Sequence, residues 1–399
     1  MNRYLVLRDR TDNWRRSEVP LEVSLAPRHP GVPAEPQIDG LELSPEELRD
    51  IVRDPKNLTV APVMPTRMVN PEPLDDLRAD DVVPGWGLNA VGANRTQATG
   101  AGVRVALLDT GIERSHPAFH GVRLTTHDFV GTGISDANGH GTHLAGTILG
   151  RDQGGTRIGV ARGVTDMLVG KTLADNGLGR SDIFLNAVLW AMEQKADIIA
   201  FALSFDTAAH VEALTTAGYP RVQANTAAVN AYRGNLRLFE LMMDMLAPKD
   251  GPLLLGAIGN DSMRVISPTF ETGPSAPGAA RHVIATGAHG PGPDGAMDQL
   301  EPALFSNLGP AVVAPGVGVV SASLGGGLRT LNGSSMAMAH TVGVAALWAE
   351  VMRAEGETVT ARTLAAKLVS TATRKGLRKG QTVLDCGHGL VQAPRGTLD

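Results

Sequence analysis

Residues 103–111 read VRVALLDTG, an apolar run that ends on an acid, a hydroxyl and a glycine. A strand exposed on one face alternates apolar and polar residues. This one, after Arg104, stays apolar to its end, as a strand covered on both faces does. The same texture returns in MLVGKTL (167–173), DIIAFAL (197–203), PLLLGAIGN (252–260), HVIATGA (282–288) and AVVAPG (311–316). Helical patterns stand between them, near 142–150, 183–195, 226–247, 335–355 and 360–372. The alternation predicts an α/β domain with a mostly parallel central sheet flanked by helices. In such sheets chemistry gathers at the C-terminal ends of strands, which gives weight to Asp109-Thr110-Gly111. That tripeptide reads either as an acidic strand end with a glycine turn or as half of a two-carboxylate protease site. The latter needs a second carboxylate to share the proton, and no second Asp-Thr-Gly is present. The glycines of TGAGVRVALLDTG (99–111) precede the strand, whereas a dinucleotide fingerprint follows it.

The 399-residue chain is 43% hydrophobic and 19% charged, enough for a large core and a smaller accessory unit. A formal net charge of -5, with no basic stripe, argues against nucleic acid as a partner. Residues 1–10 are broken by charge before they reach the length of a signal-peptide core, and no run approaches the roughly 18 apolar residues of a membrane span. The lone Cys386 has no partner for an internal disulfide. These features predict a cytoplasmic protein without a membrane partner, and Cys386 as a small packed residue.

The texture changes near residue 85. Before it lie a strand over Tyr4–Arg8, a Pro-rich stretch from Pro20 to Pro36, a short helix, and a strand in LTVAPV (58–63). The helix start is marked by Ser44 as N-cap, Pro45 at the first position and Glu47 as capping-box partner. The stretch from Met64 onward, rich in Pro and Asp, predicts an exposed linker. The ranges are therefore 1–63 for an N-terminal α+β segment, 64–84 for the linker and 85–399 for the main domain.

Two further motifs carry candidate chemistry. Asn138-Gly139-His140-Gly141-Thr142-His143 sets two histidines at a helix start without a third ligand at zinc-like spacing. His140 there is either a general base or a capping histidine. In LNGSSMAMAH (331–340) a glycine and two hydroxyls precede a long helical pattern, so the serines are either a helix cap or a nucleophile.

Together, VALLDTGIERSHPAF (105–119), NGHGTHLAGTILG (138–150) and LNGSSMAMAHTVGVAAL (331–347) resemble the three signature segments of the subtilisin-like serine proteases, in that family's order of Asp, His and Ser. The resemblance covers roughly residues 85–393 and implies a three-layer subtilisin-like fold. It implies a serine endopeptidase with Asp109, His140 and Ser335 as the catalytic triad and an acyl-enzyme intermediate. It also implies Asn260 and the Ser335 backbone N–H as the oxyanion hole. Ala202, Leu203, Ser204, Phe205 and Gly259 take the family's substrate-binding positions, and protein or peptide is the implied substrate. The competing reading is a catalytically silent subtilase fold that serves as a binding module.

Departures from the family are informative. Met338-Ala339 replace the usual Ser-Pro before His340, which is read as packing. Ala202-Leu203-Ser204-Phe205 stands where Ser-Leu-Gly-Gly is common, and Phe205 is expected to crowd or reshape the non-primed pockets. The stretch 206–224 reads as an insertion beside the groove: a specificity loop, a docking surface or inert decoration. Ala118 occupies the position of the family's calcium-binding acid, so no cofactor is expected and no calcium at that place. The N-terminal segment resembles the family's inhibitory propeptides in layout, the alternative being a stabilising accessory domain. MPTRMVNP (64–71) is then expected to lie along the substrate edge as an added strand, with a cut between residues 63 and 85.

Overall fold

A computed structural model describes residues 2–10, 35–73, 83–246 and 251–395. The Pro-rich stretch before residue 35 and most of the Asp-rich part of the expected linker lie outside the described residues. Contacts divide the chain into two compact units. One comprises Met1–Pro65, Arg180–Asn186 and Phe205–Gly251; the other comprises Thr66–Gly179, Ala187–Ser204 and Pro252–Asp399.

In the larger unit the apolar runs form the expected sheet. Its spatial order is Glu301–Pro302, Val283–Gly290, Leu253–Ala257, Ile198–Phe201, Arg104–Asp109, Asp166–Lys171 and Arg123–Asp128, with Val312–Pro315 also paired to Val283–Gly290. Every pair is parallel except that of the two-residue edge strand Glu301–Pro302. Both faces are covered, which is why the runs do not alternate. Val105, Leu107, Val169 and Ala200 join one core with Ile148 and Val344 from the helices His140–Leu149 and Ser334–Ala354. On the opposite face a side chain at Gly170 would meet Leu108, Phe129 and Trp190, the last carried by the helix Ser181–Glu193. Ser334–Ala354 is long and apolar enough to cross a membrane by length and composition, contrary to the expectation that no run was. Its apolar window is 83% buried in the fold, as the core helix of this unit.

The smaller unit is built on an antiparallel sheet in the order Pro36–Leu43, Asn2–Asp9, Asn57–Pro62. The capping box of Ser44 and Glu47 starts the helix Pro45–Arg53. Pro36–Leu43 was missed in the sequence, where prolines obscure its start. The long helix Arg221–Leu246 packs on Asn57–Pro62. Along it Ala224, Ala228, Ala231 and Asn235 are buried, and Asn235 Nδ2 donates to the Pro62 carbonyl at 2.8 Å. Gly234 allows this approach, since a Cβ there would sit 3.2 Å from Ala61 Cβ. The units thus depart from the ranges read along the chain: a helix from the middle of the sequence packs on the N-terminal strands. The stretch read as an insertion loop is also largely helical. Thr207–Thr216 is capped by the Asp206 carboxylate, which accepts from Ala209 N at 2.9 Å.

Candidate active site

Asp109 ends the strand Arg104–Asp109 and is fully buried. Its Oδ1 accepts from Thr110 N at 2.8 Å and lies 2.8 Å from Nδ1 of the equally buried His140. Close backbone approach makes this pairing possible. A Cβ on Gly141 would lie 2.3 Å from the Gly111 carbonyl, and Gly111 at φ 111° would press one against the Ile134 carbonyl. With Nδ1 turned to the carboxylate, His140 Nε2 is buried and has no hydrogen-bond partner among the described residues.

His140 opens its helix behind Gly139, which has no side chain to cap it. Asp136 does so instead. Its almost fully buried carboxylate accepts from Gly139 N (2.7 Å), Asn138 N (3.1 Å), Thr142 N (2.9 Å), Thr142 Oγ1 (2.7 Å) and Thr110 Oγ1 (3.0 Å). It ties the Asp109 turn to the His140 helix. The sequence reading missed Asp136; an acid three residues before a capless glycine was the available signal. Buried Lys171 supports the same loop by donating to the Ser135 carbonyl at 2.8 Å.

His143 faces the backbone carbonyls of Val319 and Arg329 at 3.1 and 3.3 Å. Burial first, then the charges of Arg329 and His140, push its pKa down to about 3. His340 is also buried, with Nδ1 at 2.9 Å from the Met336 carbonyl, and burial lowers its pKa to about 4. Both rings are held by main chain and stay neutral near pH 7. Ala118 offers no carboxylate, and its carbonyl accepts from Arg151 N at 2.8 Å. Among the described residues no group of three or more His, Cys, Asp or Glu converges as a metal site. Cys386 is buried with Sγ 3.2 Å from the Thr382 carbonyl, and burial raises its pKa.

Ser335 is the second residue of Ser334–Ala354 and is fully buried. Ser334 fastens the neighbouring loop: its N–H donates to Asn260 Oδ1 at 2.9 Å and its Oγ accepts from Gly259 N at 3.2 Å. Pinned at its oxygen, Asn260 presents Nδ2 outward, where it donates to the Asn70 carbonyl at 2.7 Å. Ser335 Oγ donates to the adjacent carbonyl of Val69 at 3.3 Å. The site thus holds a stretch of this chain's own backbone.

That stretch is extended. Met68 N donates to Gly177 O (2.7 Å), Val69 N to Ala202 O (2.9 Å) and Glu72 N to Asn332 O (3.0 Å), and Asn332 Nδ2 donates to Pro73 O (3.0 Å). Residues 66–68 run between residues 203–204 and 178–179 as part of the middle strand of a sheet. The expectation of an added strand in MPTRMVNP holds for this backbone, whereas the exposed-linker reading fails there: Met64, Thr66, Met68 and Val69 are buried. Phe205 is spent elsewhere. Its ring meets Tyr232 of Arg221–Leu246 edge-on at 6.3 Å, so the side chain expected to reshape the pockets is taken up in packing within the smaller unit.

Behind Asn260, Asp261 forms an ion pair with Arg67. Burial raises the Asp261 carboxyl, but the hydrogen bond and charge of Arg67, with donors from Asn307 and Ser275, hold it below its ordinary range. Burial, then the charge of Asp261, raises Glu72.

The site geometry is accompanied by sequence likeness. The profile of the Subtilase family (Peptidase_S8) matches residues 100–389. Subtilisin-like protease 6 of Trichophyton rubrum is 32% identical over 282 residues, covering 68% of this chain and 59% of that protein. Subtilisin-like protease 7 of Trichophyton tonsurans is 31% identical over 284 residues, covering 68% of this chain and 60% of that protein. The matched chain spans about 60% of the length of these relatives.

Proposed function

Since this chain belongs to the subtilase family, we propose that it is a serine endopeptidase hydrolysing protein or peptide substrates through an acyl-enzyme. In this reading His140 Nε2 takes the Ser335 Oγ proton as Oγ bonds to the substrate carbonyl carbon. Asp109 holds the imidazole by Nδ1 and stabilises its cation. Asn260 Nδ2 and the Ser335 N–H stabilise the oxyanion. The proton then passes to the leaving amine as the C–N bond breaks, and water, deprotonated by His140, releases the acyl group. The observation that carries the reading is the Asn260 amide on a backbone carbonyl at 2.7 Å, beside the Ser335 hydroxyl on the preceding carbonyl.

The same observation supports an inhibitory role for the N-terminal part of the chain. A backbone stretch bonded to Asn260, Ala202 and Asn332 excludes a substrate from those groups. A second reading, a silent binding module, is favoured by the diversion of the Ser335 hydroxyl to Val69 and the unpartnered His140 Nε2. A fluorophosphonate separates the two. The protease reading expects labelling of Ser335 that Ser335→Ala abolishes and His140→Ala strongly reduces, because the base generates the nucleophile. Labelling indifferent to both changes overturns it.

A further inference from the structure

The backbone bonds that hold residues 66–73 are blind to side chains: any extended peptide has the N–H groups that Gly177, Ala202 and Asn332 accept. Discrimination must come from a side-chain contact, and Arg67 makes one. Its guanidinium donates to Asp261 Oδ1. Asp261 is built to receive it. Oδ2 is fixed by Ser275 Oγ and Asn307 Nδ2, both at 3.1 Å, and the backbone N–H is fixed by Asn307 Oδ1 at 2.8 Å. Asn307 is itself braced against Gly259, where a Cβ would lie 2.3 Å from Nδ2. One carboxylate oxygen is therefore committed to the protein, and the other is presented to the cation. The side chains are only 33% and 30% exposed, so the pair is partly shielded from solvent screening.

Resting on the protease reading above, we infer that Asp261 is a specificity-determining residue that selects a cationic side chain, arginine above all, three residues before the residue whose carbonyl is held by Asn260. Arg67 stands three residues before Asn70 and occupies in this chain the place of the substrate's basic residue. A guanidinium suits the site because its planar fork can meet a fixed carboxylate oxygen with directional N–H donors. A glutamate at that position would bring a second negative charge to Asp261, and a leucine would leave Oδ1 of the half-buried carboxylate without the cation that Arg67 brings to it.

The test uses the full chain carrying Arg67→Ala, which removes the internal competitor's cation but no group assigned to catalysis. The probes are the octapeptide of residues 66–73 with arginine at its second position and the same peptide with leucine or glutamate there. The readout is the peptide concentration that halves the rate of fluorophosphonate labelling of Ser335. The arginine peptide is expected to protect at about tenfold lower concentration than the leucine peptide, the scale of one partly shielded charge-assisted bond, with the glutamate peptide weakest. Adding Asp261→Arg should reverse the order of arginine and glutamate, and adding Asp261→Asn should flatten it. Equal protection by all three peptides, no protection by any, or an order unmoved by both Asp261 variants overturns the inference while labelling preserves the protease reading. Loss of all labelling in the Arg67→Ala chain overturns both.

Discussion

The side-chain amide of Asn260 donates to the carbonyl of Asn70 at 2.7 Å, and it can do so because its other end is occupied by the N–H of Ser334 at 2.9 Å. The residue before the proposed nucleophile thus orients the proposed oxyanion donor. Gly333 completes the arrangement, since a Cβ there would stand 3.1 Å from Asn260 Nδ2. A donor fixed before the reaction loses nothing to reorganisation when charge develops on the substrate oxygen.

Asn260→Ala is accordingly expected to lower turnover on a protein substrate by about 10²–10³, the loss that removing such a donor causes in subtilisin. Steady-state kinetics should place the loss in kcat, because the oxyanion forms only after binding. A change smaller than tenfold would show that this amide does not act on the transition state.

Asp136 should matter to stability. Its carboxylate gathers five donors in a buried loop, and Asp136→Ala leaves the backbone N–H groups of Gly139 and Thr142 without that acceptor. A loss of about 3 kcal/mol or more follows from hydrogen bonds to a charged acceptor and the desolvated donors left behind. Urea unfolding measures it; a loss below about 1 kcal/mol would mean that water or a neighbour takes over.

Stability should also fall as acid is added, and the sign comes from the histidines. His143 is held down to about 3 by burial, and His289 and His340 to about 4. The unfolded chain takes up protons at these residues near pH 6.5, while the folded chain refuses them until pH 4 or below. Their contribution is intact above pH 6.5 and is lost as pH falls from there toward 4. Each adds up to about 1.4 kcal/mol per pH unit to the slope. His340→Leu should therefore flatten the slope of unfolding free energy between pH 4 and 6.5 by roughly a third of the part that these three residues supply. An unchanged slope would show that His340 is protonated in the folded state.

Six of the sheet's eight strands were legible because burial on both faces writes itself locally as an apolar run, and the helices between runs came within a few residues of their observed ends; the edge strands Arg123–Asp128 and Glu301–Pro302, only partly buried, left no such run. The placement of Asp109, His140 and Asn260 at or just beyond a strand end or at a helix start could be read locally, while the roles proposed for them came only from the resemblance to the subtilases. What escaped was long-range. Nothing near Arg67 announces that Asp261, 194 positions away, will receive it. Nothing in Asn57–Pro62 announces that Arg221–Leu246 will cover it, because half-buried strands and alanine-rich helix faces fit many partners. Thr207–Thr216 was missed because it buries none of its residues and so lacks the periodic apolar stripe that marks a helix.

The stretch bonded to Asn260 is expected to resist cleavage. Asn260 holds the carbonyl of Asn70, and the next residue is Pro71. Its nitrogen is a ring atom without an N–H, with a locked φ and a ring carbon where an ordinary amide carries hydrogen. Such a nitrogen is crowded when attack pyramidalises the carbonyl and is awkward for His140 to reach with a proton. The bond between residues 70 and 71 is thus expected to persist in the wild-type chain and to be cut in Pro71→Ala, giving a fragment that begins at residue 71. Adding Ser335→Ala should keep the double variant whole. Residues 1–84, supplied separately to the cut form, should restore inhibition through the same backbone bonds. Mass spectrometry of the purified chains reads the first outcome and a peptide-hydrolysis assay the second. Cleavage of the wild type between residues 70 and 71 as fast as Pro71→Ala, or cleavage surviving Ser335→Ala, would show that proline is not what guards this bond. A cut form indifferent to added 1–84 would leave the N-terminal part with a stabilising role alone.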